Sequence, residues 1–160
     1  MEVSTAKLRK GFTLIELLVV IGILAILLAV TLIAINPARQ FAAANDTKRS
    51  SDVNAILNAI NQYSVDEKGG LPGDNPDPTQ NEITTTAQNI STGGANICAV
   101  LVTRYIAALP TDPISAAGGA PVTNCALVYD TGYTVVKGGD DRITIEAPNT
   151  QIATEIKATR

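Results

Sequence analysis

The chain has 160 residues, with 12 basic side chains against 15 acidic ones, no histidine, no tryptophan and four tyrosines. Without histidine, Ser-His-Asp and Cys-His catalysis and the usual imidazole metal sites are excluded. Mild net acidity and so few aromatic rings argue equally against broad electrostatic or stacking recognition of nucleic acid.

From Phe12 to Ile35 the only charged side chain is Glu16. As a helix this run is about 36 Å long, enough to cross a hydrocarbon core about 30 Å thick. Lys7, Arg9 and Lys10 precede it against the single acid Glu2. The positive-inside rule therefore holds the N-terminus in the cytoplasm and sends the remainder across the membrane. A charged side chain costs about 2.5–3.5 kcal/mol at the bilayer centre and less near its edge, so Glu16 calls for a partner. Gly11 marks a junction before the apolar run, whereas a secretory signal is cut after it. Gly22, Ala25 and Ala29 would allow close helix approach, or are filler, since glycine is common in membrane helices.

The heptapeptide Lys10-Gly11-Phe12-Thr13-Leu14-Ile15-Glu16, followed by an uninterrupted apolar span, resembles the class III signal of the type IV pilin and type II secretion pseudopilin family. The resemblance implies cleavage after Gly11 by a prepilin peptidase and N-methylation of Phe12. It also implies that Glu16 neutralises the Phe12 ammonium of a neighbouring subunit and so sets its axial register. The competing reading, a Glu16 that snorkels at headgroup depth, leaves the flanking motif unexplained. The partners so implied are further copies of the chain in a helical homopolymer, the peptidase and an inner-membrane assembly platform. The chain would be single-pass in the cytoplasmic membrane before assembly, and then part of an extracellular or periplasmic filament. Losing residues 1–11 removes three bases and one acid, which leaves side chains of net charge −5.

The family's fold is α+β, with a long apolar helix continuing into an amphipathic helix packed on a small antiparallel β-sheet head. On that plan residues 1–11 are leader, 12–36 membrane and filament-core helix, 37–68 its amphipathic continuation and 69–160 the head. Asn36-Pro37 is a good N-cap and first helical residue for a new helix; alternatively Pro37 kinks one long helix. Phe41, Val53, Ile56, Leu57, Ile60 and Tyr63 then recur with helical spacing, so residues 38–66 read as an amphipathic helix. The charged stretch around Lys48 and Arg49 reads as a solvated face, or less readily as a subunit contact.

Gly69-Gly70-Leu71-Pro72-Gly73 ends that helix. Residues 69–96 read as a surface connection, the family's variable αβ-loop, with one short helix near Glu82–Ile90. Asn45-Asp46-Thr47 and Asn89-Ile90-Ser91 match the glycosylation sequon, a pattern short enough to arise by accident. Ile97 to Leu109 reads as a short helix ended by Pro110-Thr111-Asp112-Pro113. Leu109-Pro110-Thr111-Asp112-Pro113 resembles the L-P-x-D-P of major pseudopilins, but Ile114-Ser115 follows where that pattern continues with Trp-Gly. Cys98 and Cys125, the only cysteines, lie in the exported portion and are expected to pair in a disulfide.

Ala126–Asp130, Tyr133–Lys137 and Arg142–Ala147 alternate with period two, separated by Thr131-Gly132 and Gly138-Gly139-Asp140-Asp141. They read as a three-stranded meander within residues 126–158, with Ile152–Ala158 as an added edge strand. Asp130, Asp140 and Asp141 are weak candidates for calcium, since turns favour aspartate and their spacing is not that of an EF-hand. No other cofactor is expected, and no set of nucleophile, base and metal ligands can be assembled into an enzyme. A structural pilin-like subunit of a type IV pilus is the leading reading. The alternatives are a major pseudopilin of a type II secretion system and a membrane-tethered monomeric binding module, which leaves Glu16 and the Gly11-Phe12 junction unexplained.

Overall fold

A computed structural model describes residues 11–73 and 82–160; the basic leader through Lys10 and residues 74–81 of the connection lie outside the described residues. The chain divides into two compact units, Met1–Gln40 and Phe41–Arg160.

In the first unit, helix α1 spans Leu14–Ile35 and none of its side chains is buried. By length and composition it is able to cross a membrane. An apolar run suits this form because a helix satisfies its backbone internally where no water competes. Asn36 interrupts it in the left-handed region, at φ 46° and ψ 78°. Helix α2 begins at once with Pro37 and runs to Asp66. The Asn36 carboxamide Oδ1 accepts the Arg39 N–H at 3.4 Å, the bond of an N-cap. Pro37 lacks an N–H that the first helical position would leave unpaired anyway.

In the second unit, Val53, Ile56, Leu57, Ile60 and Tyr63 of α2 are buried at the predicted spacing. They share one core with Ile90, Tyr133, Val135 and Ile145. Phe41, read into the same pattern, is exposed, because the first buried residue of α2 is Asp46. The sheet is antiparallel in the order β1 (Gln88–Ser91), β2 (Asp130–Lys137), β3 (Ile143–Glu146) and β4 (Lys157–Thr159). The long apolar helix, the following helix and this small sheet form the expected α+β architecture.

The details of the head depart from the sequence reading at five places. Where a helix near Glu82–Ile90 was expected, β1 forms, because Ile83 and Ile90 insert into the core and Gln88 and Asn89 pair with Val135 and Thr134. Of the expected helix over Ile97–Leu109 only α3 (Cys98–Leu101) is helical. Thr103 turns to φ 75°, and its N–H reaches the Ile106 carbonyl at 2.8 Å. Ala126 to Tyr129 forms no strand, and Leu127 and Val128 are exposed.

Thr131-Gly132, read as a turn, lies within β2. The register of β1 on β2 shifts between Asn89 and Ser91, so the extra residues of β2 form a bulge with Gly132 at φ 75°. A Cβ at Gly132 would stand 2.9 Å from Asp112 Cβ. The edge strand is shorter than expected because the N–H groups of Gln151, Ile152 and Ala153 bond a carboxylate on α2.

Candidate functional site

At the start of α1, Gly11 and Phe12 are exposed, and a Cβ built on Gly11 would meet nothing within 4 Å. The local fold therefore gives no reason for glycine at this position. Thr13 and Glu16 form a capping box. Glu16 Oε2 accepts the Thr13 N–H at 2.8 Å and the Thr13 hydroxyl at 2.7 Å, while Thr13 Oγ1 accepts the Glu16 N–H at 3.3 Å. Reciprocal bonds of this kind satisfy donors that a helix start leaves unpaired. This cap was missed in the sequence, where the T-x-x-E spacing ahead of the apolar run was the available signal.

The residues that sequence reasoning misplaced lie in the polar stretch of α2. Arg49 is fully buried rather than solvated. Its Nε donates to Asp112 Oδ2 at 2.7 Å and its Nη2 to Asp112 Oδ1 at 3.1 Å, a bidentate pair. Its Nη1 donates to Asp46 Oδ1 at 2.8 Å. Asp46 also accepts the backbone N–H groups of Gln151 at 3.0 Å, Ile152 at 2.7 Å and Ala153 at 2.8 Å. Desolvation pushes the Asp46 carboxyl up, but these three N–H groups and the guanidinium outweigh it and hold the group below the usual carboxylate range. Asp112 is shifted the same way: burial raises it, while Arg49 and the Ile114 N–H pull it down further.

The neighbouring polar residues extend this clamp. Lys48 Nζ bonds Asp52 at 2.6 Å and the Thr111 carbonyl at 3.0 Å. The Tyr133 hydroxyl donates to Asp52 Oδ2 at 2.7 Å. Two charged turns of α2, from Asp46 to Asp52, thus hold the Pro110–Pro113 turn, the start of β2 and the segment before β4. An Asp-x-x-Arg spacing on α2 and the lone Asp112 between prolines were the available signals, and neither identifies its partner from sequence alone. Asn45 of the first sequon donates its carboxamide N–H to Gln151 at 2.8 Å, whereas Asn89 of the second is exposed on β1.

Cys98 and Cys125 form a disulfide with Cα atoms 5.5 Å apart, closing a loop that contains Asp112. Cys125 precedes β2 by a turn rather than opening a strand.

The three candidate calcium ligands are not brought together. Asp130 begins β2, while Asp140 and Asp141 follow its far end, about 20 Å away at a strand rise of about 3.3 Å per residue. Asp130 Oδ1 accepts the Gly132 N–H at 2.9 Å, Asp140 faces Arg142 at 3.4 Å and Asp141 faces Lys137 at 3.1 Å. Among the described residues no group of three His, Cys, Asp or Glu side chains is placed to hold a metal ion.

The prokaryotic N-terminal methylation motif matches residues 6–32. No curated protein and no solved structure matches the chain. Residues 6–32 thus carry a motif of the kind found at the N-termini of type IV pilins and pseudopilins, and the α+β architecture of long apolar helix, second helix and four-stranded sheet is pilin-like.

Proposed function

We propose that the protein is the structural subunit of a type IV pilus filament. In this reading prepilin peptidase cuts after Gly11 and methylates Phe12, and α1 then serves first as membrane anchor and afterwards as filament core. The observation that carries the reading is the matched motif running directly into a helix with no buried side chain. A helix apolar on all sides calls for lipid or other helices around it. Gly11 supports processing, because its own surroundings would accept a larger side chain and the demand for glycine must come from another protein.

Assembly pairs Glu16 of one copy with the Phe12 ammonium of the next, and an inner-membrane platform adds the copies. The Thr13 bonds keep the Glu16 carboxylate at the start of α1, next to the residue that becomes the new terminus. A second reading, a major pseudopilin of a secretion system, draws on Leu109-Pro110-Thr111-Asp112-Pro113 and is weakened by Ile114-Ser115 after it.

Intact-mass measurement and negative-stain microscopy of material sheared from cells test the proposal. The expected result is filaments of a chain beginning at methylated Phe12. A chain in filaments that still carries Met1, or a terminus between Ala29 and Ala38, overturns it.

A further inference from the structure

The cap on α1 also decides the shape of the backbone just upstream of it. Thr13 is extended, at φ −77° and ψ 153°, and its carbonyl accepts the Leu17 N–H at 3.3 Å, the first α-helical bond of the chain. A helix wound one turn further back would bond the Glu16 N–H to the Phe12 carbonyl and the Ile15 N–H to the Gly11 carbonyl. Here the Glu16 N–H goes to Thr13 Oγ1 instead, at 3.3 Å. The ladder therefore stops at Thr13, and Gly11 and Phe12 stay outside the helix. Neither has packing of its own to hold that form, since both are exposed and a Cβ on Gly11 would meet nothing within 4 Å. Glycine lowers helix propensity, but it supplies no acceptor that fixes where a helix starts.

The place of this stop matters for removal of the leader. Hydrolysis of the Gly11–Phe12 bond puts the oxygen of water on the Gly11 carbonyl carbon and its two protons on the Phe12 nitrogen and the medium's proton pool, leaving a Gly11 carboxylate and a Phe12 ammonium. A Gly11 carbonyl held by the Ile15 N–H would have to be freed before water could attack it. Freeing it at the membrane is costly, because little water is present to replace the lost bond.

We propose that Thr13 is a positioning residue for leader removal. Its hydroxyl oxygen starts the helix two residues beyond Gly11 and so presents the Gly11–Phe12 bond to the peptidase as extended chain. This role rests on the reading that the chain is cut after Gly11. It does not require the Glu16 side chain, because the bond that stops the ladder goes to the backbone N–H of residue 16 and survives in E16L.

Initial cleavage rates of the full-length precursor in detergent micelles, mixed with membranes carrying prepilin peptidase, test the assignment. T13V keeps the side-chain volume but has no acceptor. Its kcat/KM should fall about threefold to tenfold, through a higher KM at unchanged kcat, because only precursor with an extended junction binds. T13S, an equally good cap, should restore the wild-type rate, and E16L should be cut as wild type is. A cap that only stabilised α1 would leave KM where it was. Wild-type KM in T13V, or T13S as slow as T13V, overturns this role alone. A wild-type precursor that is not cut after Gly11 overturns the processing reading together with it.

Discussion

Arg49 and Asp112, 63 residues apart in sequence, meet side by side through two hydrogen bonds of 2.7 and 3.1 Å, with both side chains fully buried. A guanidinium in that position has no water to fall back on, so the pair holds only while both partners are present.

Arg49→Ala should therefore cost about 3–5 kcal/mol of stability, because it leaves Asp46 and Asp112 as buried carboxylates without a counter-charge. Arg49→Lys should recover only part, since an ammonium cannot form the two-pronged contact. Denaturant titration of the full chain in detergent checks both. A simple ion triad is often replaceable by apolar residues. Here the triple change Asp46→Leu, Arg49→Met, Asp112→Leu should still destabilise, because three backbone N–H groups at 151–153 lose their acceptor.

The pH response follows from the same residues. Asp46 and Asp112 both titrate below the ordinary value of 3.8 in the folded head. A carboxyl with a depressed folded value contributes stability fully above its unfolded value, and that contribution falls as pH drops through the folded one. The melting temperature should thus change little through these groups from pH 7 to about 5 and fall below about pH 4. Asp46→Asn should flatten the acid limb, and an unchanged acid limb in that variant would count against the clamp as its origin.

For the disulfide, the closed loop has a sequence separation of 27, worth about 3–4 kcal/mol in the chain-entropy model. Cys98→Ser or Cys125→Ser should lower stability by that order and reduce filament yield, while insertion and leader cleavage remain normal. Peptide mapping without reductant should recover one cross-linked pair.

Glu16→Leu separates anchoring from assembly. The variant should insert at least as well as wild type and be cut normally after Gly11, yet give few or no filaments as the only copy in the cell. Wild-type filament numbers would favour a tethered module instead. Thr13→Val removes the cap, costing about 1 kcal/mol of local helix stability, and hydrogen exchange at the first turn of α1 should accelerate.

Much of this was legible in the sequence wherever one residue and its near neighbours decide the outcome. The apolar run predicted α1 and Val53 through Tyr63 predicted the buried face of α2, whereas Asn36-Pro37 fitted a capped restart and a kink equally. Distant pairing accounts for what was missed. Gln88–Ser91 becomes a strand because β2 stands beside it, and Arg49 is buried because Asp112 arrives from 63 residues away. Thr131-Gly132 carries a glycine signal that fits a turn and a bulge equally, and the strand on the other side settles which forms.

Gly132 ties these observations to descent. Its left-handed backbone at φ 75° and its 2.9 Å clearance to Asp112 Cβ leave no substitute at that position while Asp112 stands where it does. Asp112 in turn stands there because Arg49 holds it. Across a lineage the three positions should be inherited as a set, with loss of one releasing the other two to drift. A chain bearing Arg, Asp and Gly at these spacings would thus be recognisable as kin even after its surface had been rewritten.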